Sequence, residues 1–289
     1  ITVSGIPMDF QSGISKESVK GIGISNQRET SLIWEKKTGK ALANAVVWQC
    51  ARAAEICRRV EQIGAAEMIR QKTGLALSPY FPASKLTWLK ENVEGAKELA
   101  KKHALCFGTI DTWLVYRMTH GTSYKTDYSN ASRTQLFDIF EQRWDEEICQ
   151  LFGLDAQDLA EVCDSDSCFG ETDLDGFFEK PVPIHSVLGD SHGALFGQGC
   201  LEKGMIKSTY GTGSSIMMNI GETPVLSTHG VVTSLAWGMQ GKINYVLEGN
   251  INYTGAVITW LKDDMELIQS PAETEELCRK AEADDSLYF

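Results

Sequence analysis

The alternation of apolar and polar positions predicts a chain of mixed strands and helices that changes character towards its C-terminal end. In the earlier part, short β-prone runs alternate with stretches of helical spacing, and the run at 182–188 ends in Gly189 and Asp190. Further on, β-prone runs follow one another through glycine turns, at 205–210, 215–219, 231–237 and 243–248. The pattern predicts an α/β protein of two regions, residues 1–199 and 200–289.

Within the first region, extended runs predict strands at 19–25, 30–35, 43–48 and 104–107. Apolar residues at helical spacing predict a first helix at 56–63, a second that ends at residue 72 and a third that begins near residue 84. Further helices are predicted at 109–118, 144–152 and 155–162. Ile56, Val60 and Ile63 are expected to face the core from the first helix. Gly74 is expected to end the second helix, and Ser84 to cap the third.

Two further predictions come from side-chain chemistry. Hydroxyl and amide side chains crowd residues 125–134, which indicates a buried, hydrogen-bonded turn. In the second region, a helix at 253–264 is predicted to open beside Gly255. Ser270 and Glu273 then form a capping box before a last helix that ends near residue 283.

Composition narrows the classes of partner. The 289 residues carry a formal charge of −12, which disfavours nucleic acid and anionic membranes, although backbone amides can still bind a small phosphate locally. No apolar run approaches the ~20 residues of a membrane span, and the first residues resemble neither a signal peptide nor a native start. Eight cysteines without a CxxC pair indicate reduced core thiols, and Cys163 and Cys168 fit an exposed turn better than a metal site. We expect a cytoplasmic protein.

Asp190 is the first candidate for catalysis. A carboxylate that follows a strand and opens a helix lies at the carboxyl edge of a sheet, where α/β folds bind ligands. The same pattern fits an aspartate that caps a helix, so both interpretations stay open. The polar residues 26–29, between two predicted strands, are likewise either a solvated turn or part of a site. His192 receives no role.

Gly211, Thr212 and Gly213 lie in a second candidate, the stretch 209–215 between two β-prone runs. Its glycines let backbone amides approach a phosphate, and the Thr212 hydroxyl can also donate. The stretch lacks the Gly-Lys-Ser/Thr of a P-loop, and a tight hairpin bend explains the glycines as well. Gly255, beside a predicted helix start, is a weaker signal because glycine there also serves close packing.

Several long motifs in the same order resemble the FGGY carbohydrate kinases, and within them the members that phosphorylate glycerol. The motifs lie at 21–29 (GIGISNQRE), 47–49 (VWQ), 80–92, 108–111 (GTID), 126–134 (TDYSNASRT) and 209–213 (TYGTG). Lys85 and Trp88 are in register with a family signature. The resemblance covers nearly the whole chain from about Val19. It implies a ribonuclease-H-like, actin-type pair of α/β domains with the active site in the cleft between them.

The resemblance also implies roles for individual residues. Asp190 would be the general base, and the polyol would contact Arg28, Glu29, Trp48, Tyr80 and Asp190. ATP would contact the second domain at Thr212, Gly213, Gly255 and Thr259. Mg²⁺ is implied by the nucleotide and not by a visible set of ligands. The implied reaction transfers the γ-phosphoryl group of ATP to a terminal hydroxyl of a small polyol or sugar.

Departures from the family pattern affect the expected substrate. Ser191 and Ser215 stand where glycerol-phosphorylating members carry a glutamine and an aromatic residue, which predicts a roomier and more polar pocket. Cys50 and Thr259 replace an acidic residue and a glutamine. Glycerol is the leading candidate, with a longer polyol or a ketopentose such as xylulose or ribulose as the alternative. A catalytically silent, sugar-binding regulator is a further alternative, and a homo-oligomer is compatible with either.

The chain is also expected to be incomplete relative to the family. It would lack the N-terminal hairpin whose Asp-x-Gly-Thr-Ser/Thr residues meet the phosphates and magnesium, and the C-terminal half of the second domain, which encloses adenine. Residues 1–199 would be the substrate-binding domain without its first strands, and residues 200–289 the start of the nucleotide-binding domain. We expect the 289-residue piece alone to have little kinase activity.

Overall fold

The computed structural model describes residues 15–251 and 253–281. Their helices are α1 (Ala54–Gln62), α2 (Ala66–Thr73), α3 (Pro82–Asn92), α4 (Ala96–Lys101), α5 (Ile110–Met118), α6 (Tyr128–Ala131), α7 (Glu146–Leu151), α8 (Asp190–Gly197), α9 (Gly255–Asp263) and α10 (Glu273–Lys280). Their strands are β1 (Ile22–Asn26), β2 (Ser31–Glu35), β3 (Leu105–Thr109), β4 (Lys125–Asp127), β5 (Phe137–Asp138), β6 (Arg143–Trp144), β7 (Glu161–Cys163), β8 (Gly170–Thr172), β9 (Val182–Gly189), β10 (Ile206–Tyr210), β11 (Ser214–Gly221), β12 (Val232–Met239) and β13 (Lys242–Ile251).

The first region is organised around the parallel strands β1 and β9, and β8 lies antiparallel on the other side of β9. Asn26, the last residue of β1, pairs with Gly189, the last residue of β9. Because parallel strands end at the same edge of a sheet, the residues that follow both strands come together there. The pairing of these two strands thus brings residues 27–30 beside the start of α8.

The second region contains an antiparallel sheet with the strand order β10–β11–β13–β12. The turn between β12 and β13 is the predicted Gln240–Gly241, and both residues have positive φ (53° and 74°), as a two-residue hairpin of this type requires. Directly paired residues share a face of the sheet, so Lys207, Met217 and Glu248 lie side by side on one face.

Both faces of the second sheet are covered by the first region. On the face that carries Glu248, Leu195 of α8 packs with a group from the second region, Cys200, Met217, Ala236, Trp237 and Val246. On the opposite face, Ala131, Phe137 and Ile139 pack with Ile220, Leu235 and Tyr245. The two regions therefore share hydrophobic core on both sides of this sheet.

Two predicted elements are wrong. Residues 43–48 form no strand, and this part of the chain makes only the single bridges of Val46 with Ser31 and of Ala41 with Trp34. Residues 155–162 form no helix, because a short 3₁₀ turn at Ala156–Asp158 is followed directly by β7. The parallel pairing of β7 with β4 overrides the helical spacing of its apolar residues.

The helix ends were predicted with mixed success. Gly74 follows α2 in the left-handed conformation (φ 73°), as expected of a terminating glycine. Ile63 lies just beyond the last residue of α1 and is 64% exposed, so its predicted core position is wrong. Ser84 does not cap α3, which begins at Pro82 and buries Ser84 in its first turn.

The polar stretch 125–134 is the buried, hydrogen-bonded turn that the sequence predicts. Asp127 caps α6 by accepting the amides of Ser129 and Asn130 at 3.0 Å each. The side chains of Asn130 and Asn26 exchange hydrogen bonds of 2.8 and 3.1 Å. This exchange ties the turn to the end of β1, where the candidate site lies.

All eight cysteines are free thiols, as expected, but the predicted core position holds only for Cys57, Cys106, Cys149 and Cys200. Cys168 and Cys278 are exposed. Among residues 15–251 and 253–281, no helix has the length and apolar character needed to cross a membrane. The predicted helix end near residue 283 lies outside the described residues.

Candidate active site

The candidate site lies at the carboxyl ends of β1 and β9. Arg28 follows β1, and Asp190 is the first residue of α8. Arg28 Nε lies 3.5 Å from Asp190 Oδ1. The Asp190 side chain is 55% exposed and the Arg28 side chain only 5%, so the carboxylate is accessible while the arginine is enclosed. The amide of Ser191 donates to Asp190 Oδ1 at 2.6 Å and orients the carboxylate.

Arg28 is held from the opposite side by Glu248 of β13. Its Nη1 and Nη2 donate to Glu248 Oε2 and Oε1, both at 2.9 Å. Gly189 provides the space for this arginine, because a Cβ at position 189 would lie 2.8 Å from both Cγ and Cδ of Arg28. The glycine that precedes Asp190 therefore serves close packing.

A second arginine, Arg133, completes a buried cluster of charges with Arg28, Glu29 and Glu248, which we call the ionic cluster. Arg133 Nε donates to Glu29 Oε1 at 2.7 Å, and Arg133 Nη1 lies 3.1 Å from Glu248 Oε2 as an ion pair. Glu29 has φ 61°, a conformation that residues other than glycine rarely adopt. Two cations thus face two carboxylates, with Asp190 at the exposed end.

Ion pairing outweighs burial in the ionic cluster. Burial alone would raise the pKa of Glu248, but Arg133 and Arg28 bring that pKa well below its usual range. Burial would lower the pKa of Arg28, but Glu248 and Glu29 hold it well above its usual value. Both groups are therefore charged despite being enclosed, which requires that their partners stay in place.

His192, to which the sequence assigned no role, packs beside Arg28. Burial first, and then the charge of Arg28, lower the pKa of His192 well below its usual value, so the ring is neutral. Its Nδ1 lies 3.4 Å from Arg28 Nη1, and its Nε2 lies 3.3 Å from Ser234 Oγ. An arginine can only donate, so Nδ1 is the acceptor and Nε2–H donates to Ser234. His192 thus supports Arg28 without adding charge.

Trp48 and Tyr80 form an aromatic pair beside the ionic cluster. Their rings meet edge to face with centroids 5.6 Å apart. Burial, and then the charge of Glu29, raise the pKa of Tyr80 to about 12, so its hydroxyl is neutral. Lys85 donates its ammonium group to the Tyr80 carbonyl, and burial lowers the pKa of Lys85 to about 8. The pair offers an apolar surface next to charged groups.

Thr212 and Gly213 lie in the turn between β10 and β11, and this turn docks onto the start of α9. The amide of Gly255 donates to the Gly211 carbonyl at 2.9 Å, and the amide of Ala256 donates to the Thr212 carbonyl at 3.1 Å. A Cβ at Gly255 would lie 2.5 Å from the Gly211 oxygen, so only glycine fits there. The turn is a hairpin bend, and it is also an exposed loop of backbone beside a helix start.

The remaining predicted site residues lie around these two groups. Ser215 on β11 pairs with Asn250, two positions from Glu248, and its buried hydroxyl has no hydrogen-bond partner among the described residues. Ser191 is half-buried in the first turn of α8. Thr259 is exposed, and its hydroxyl donates to the Gly255 carbonyl at 3.4 Å. The structure brings Arg28, Glu29 and Asp190 into one cluster, and the four ATP candidates into a second group at the turn.

Sequence reasoning missed two members of the ionic cluster, Arg133 and Glu248. Arg133 lies within the polar stretch 125–134, whose composition predicts a turn but no partner for the arginine. Glu248 is an isolated acidic residue in a strand of alternating pattern, where a charged residue ordinarily faces solvent. Only the pairing of β13 with its neighbours shows that Glu248 faces Arg28.

The two α/β regions, with a carboxylate at a strand end in one and a glycine turn in the other, agree with the ribonuclease-H-like, actin-type ATPase fold that the sequence predicts. The chain belongs to the FGGY family of carbohydrate kinases: the N-terminal domain of the family matches residues 8–197, and its C-terminal domain matches residues 206–287. The family resemblance and the fold class that the sequence predicts are thereby confirmed.

Curated relatives resemble most of the chain. Glycerol kinase from Bacillus cytotoxicus is 46% identical over 278 residues, and glycerol kinase 1 from Thermotoga maritima is 48% identical over 279 residues. Each match covers 96% of this chain and 56% of the relative. The chain therefore spans little more than half the length of these relatives.

Solved structures show the same fold. The crystal structure of Plasmodium falciparum glycerol kinase with ADP matches with a TM-score of 0.84 and 36% identity, over 91% of this chain and 52% of that one. Ligand-bound xylulose kinase from Lactobacillus acidophilus matches with a TM-score of 0.78 and 19% identity, over 93% of this chain and 54% of that one. The second likeness concerns the fold alone.

Proposed function

We propose that the full-length protein transfers the γ-phosphoryl group of ATP to a terminal hydroxyl of a small polyol, with glycerol as the leading substrate. The observation that carries the proposal is Asp190, a half-exposed carboxylate 3.5 Å from the enclosed Arg28 at the shared edge of β1 and β9. The likeness of the chain to glycerol kinases, at 46–48% identity, supports the same assignment.

Asp190 acts as the general base in this proposal. Phosphoryl transfer asks a protein mainly for alignment and charge neutralisation, so the base need only accept the hydroxyl proton as the oxygen–phosphorus bond forms. Arg28 directs Nε towards Asp190 and has both Nη atoms engaged by Glu248. A polyol hydroxyl beside Asp190 would meet a fixed donor and an acceptor, while Trp48 and Tyr80 cover its carbon atoms.

The turn of Thr212 and Gly213 fits a nucleotide phosphate. Docking of the turn on α9 through Gly255 and Ala256 fixes its backbone, and glycine at 255 allows the close approach. Bound ATP, accompanied by Mg²⁺, would supply the phosphoryl group. It would contact Thr212, Gly213, Gly255 and Thr259. Closure of the two regions around the substrates would exclude water as a competing acceptor.

The proposal also assigns a role to each region. Residues 1–199 would be the substrate-binding domain, and residues 200–289 the start of the nucleotide-binding domain. The matches of the two family domains to residues 8–197 and 206–287 support this division. The retained contact between Asp190 and Arg28 favours a working kinase over a catalytically silent relative.

An assay of ADP release by the full-length protein tests the function. Glycerol, erythritol, xylulose and ribulose are compared at equal concentration with MgATP. We expect ADP release that depends on the acceptor and is fastest with glycerol. A folded protein without acceptor-dependent ADP release would refute the kinase assignment. Fastest release with xylulose or ribulose would replace glycerol by a ketopentose.

Ser215 is the candidate for substrate size selection, because it lies on the face that carries Glu248 and its buried hydroxyl has no hydrogen-bond partner within the described part of the chain. Ser215→Phe should narrow the pocket and lower kcat/KM for erythritol relative to glycerol by about tenfold, the usual effect of one or two carbon atoms in a fitted pocket. Ile216→Phe is the matched control, because position 216 lies on the opposite face of β11. Equal erythritol-to-glycerol ratios in both variants would remove Ser215 from the pocket.

A further inference from the structure

We propose that Glu248 is the positioning residue for Arg28, so that the substrate arginine is oriented by a strand of the second sheet. The inference rests on the proposed polyol kinase function, in which Arg28 faces the substrate beside Asp190. Glu248 touches the reaction only through Arg28, because its side chain is fully buried.

Both oxygens of the Glu248 carboxylate are engaged by protein groups. Oε1 accepts from Arg28 Nη2 at 2.9 Å and from Asn250 Nδ2 at 3.2 Å. Oε2 accepts from Arg28 Nη1 at 2.9 Å and lies 3.1 Å from Arg133 Nη1. The carboxylate thus accepts three hydrogen bonds, two of them from Arg28, and its contact with Arg133 Nη1 is an ion pair without a hydrogen bond.

The paired contact fixes the rotation of the guanidinium group of Arg28. Two parallel N–H···O bonds hold the group in one plane, which a single bond would not do. The edge left over carries Nε, which lies 3.5 Å from Asp190 Oδ1 and 3.9 Å from Glu29 Oε1. Arg28 therefore presents the same donor to the space beside Asp190 for as long as Glu248 stays charged and in place.

The geometry also distinguishes Glu248 from the other supports of Arg28. His192 contacts Nη1 at 3.4 Å with one neutral nitrogen, and Gly189 only leaves space. Arg133 would repel Arg28 without the shared carboxylate between them. Glu248 is thus the group that both orients Arg28 and offsets the charge of the second arginine.

Glu248→Gln in the full-length protein tests the proposal, with Glu248→Asp as the conservative variant. Glutamine keeps the size of the side chain but can accept only through one oxygen, and its NH₂ group would face an arginine. We expect the glycerol KM of Glu248→Gln to rise at least about tenfold while the MgATP KM changes less than about threefold. Glu248→Asp keeps the charge, so its glycerol KM should lie between that of the wild type and that of Glu248→Gln.

Asp145→Asn is the matched control for loss of a buried carboxylate. Asp145 pairs with Lys72 at 2.9 Å, and it lies outside the candidate site. Its loss should lower thermal stability and leave the glycerol KM within about twofold of wild type.

Wild-type turnover tests the proposed function, whereas the ratio of variant to wild-type glycerol KM tests Glu248, so the two failures are distinguishable. A folded Glu248→Gln protein with wild-type glycerol KM would overturn the proposal. Should Glu248→Gln fail to fold, Glu248→Asp decides: a raised glycerol KM with wild-type MgATP KM supports the positioning role, and an unchanged glycerol KM rejects it.

Discussion

The ionic cluster and the turn of Thr212 and Gly213 are built on opposite principles. The cluster consists of side chains that hold one another by charge in an enclosed space, around Arg28 and Glu248. The turn consists of exposed backbone held by two amides of the neighbouring helix, with Gly255 at the point of closest approach. The first should therefore respond to changes of charge, and the second to changes of volume.

The difference follows from what each part would bind. A neutral polyol offers only hydroxyl groups, so its recognition depends on donors and acceptors fixed in advance, and buried ion pairs provide that rigidity. A phosphate group carries its own charge and is recognised by backbone amides that need only approach closely. Substitutions that alter one property at a time can separate the two halves.

Asp190→Asn should give the largest effect. The amide cannot accept the hydroxyl proton, so kcat should fall by about 10²–10⁴, the usual contribution of a general base. The Asp190 side chain is more than half exposed, so thermal stability should change little. ADP release and calorimetric binding of glycerol measure the two properties. A kcat within tenfold of wild type would remove Asp190 from the role of base.

Gly255→Ala should weaken the binding of MgATP and leave the binding of glycerol unchanged. The new Cβ would lie 2.5 Å from the Gly211 oxygen and must displace the turn, so the MgATP KM should rise by about tenfold with an unchanged glycerol KM. Gly197→Ala is the control, since a Cβ at the end of α8 meets nothing within 4 Å. If both variants bind MgATP equally well, the turn does not form the phosphate site.

Asp111 lies outside the ionic cluster and shows what burial does to a carboxylate that is surrounded by hydroxyl groups. Asp111→Asn therefore provides the contrast to Glu248, which is paired with two arginines. Asp111 is buried among the hydroxyl groups of Thr109, Thr112 and Thr126. Burial raises its pKa to about 6, although the hydroxyls of Thr109 and Thr126 oppose this. Its folded pKa then exceeds the unfolded value of about 3.9, so the contribution of Asp111 to wild-type stability should fall as pH rises from about 4 to 6, by up to about 3 kcal/mol.

Urea unfolding at a series of pH values measures this effect as a difference between proteins. The stability of Asp111→Asn minus that of wild type should increase as pH rises through the window of about 4 to 6. Asp145→Asn should show the opposite trend, and at lower pH, because a depressed folded pKa changes wild-type stability only below the unfolded value of about 3.9. Burial alone would raise the pKa of Asp145, but the Ile148 amide and Lys72 bring it below its usual value. Parallel trends in the two variants would contradict the assignment for Asp111.

Much of the frame of the site was predictable from sequence. The strand that ends in Gly189 and Asp190 is visible as an apolar run, and the polar residues after β1 were recognised as a possible part of a site. The local sequence pattern does not show which residue a buried charged side chain will pair with. Glu248 lies more than two hundred positions after Arg28, and its burial results from the packing of the first region on that face of the second sheet, which no local pattern encodes.

The errors have similar causes. The segment 43–48 has the residues of a strand but lacks a neighbouring strand along its length, so only isolated bridges form. Residues 155–162 have apolar spacing that suits a helix, but the end of this segment pairs with β4 as a strand at 161–163. In both places long-range pairing, and not local preference, decides the structure.

The sheet covered on both faces has a consequence for how such a protein can be divided. Phe137 and Ile139 from one family domain and Leu235 and Tyr245 from the other belong to a single core. Expressing the two family domains as separate proteins would expose to water the apolar side chains that each contributes to this core. The domains are thus units of sequence description more than units of folding, and shuffling them between relatives would require that both faces of this sheet change together.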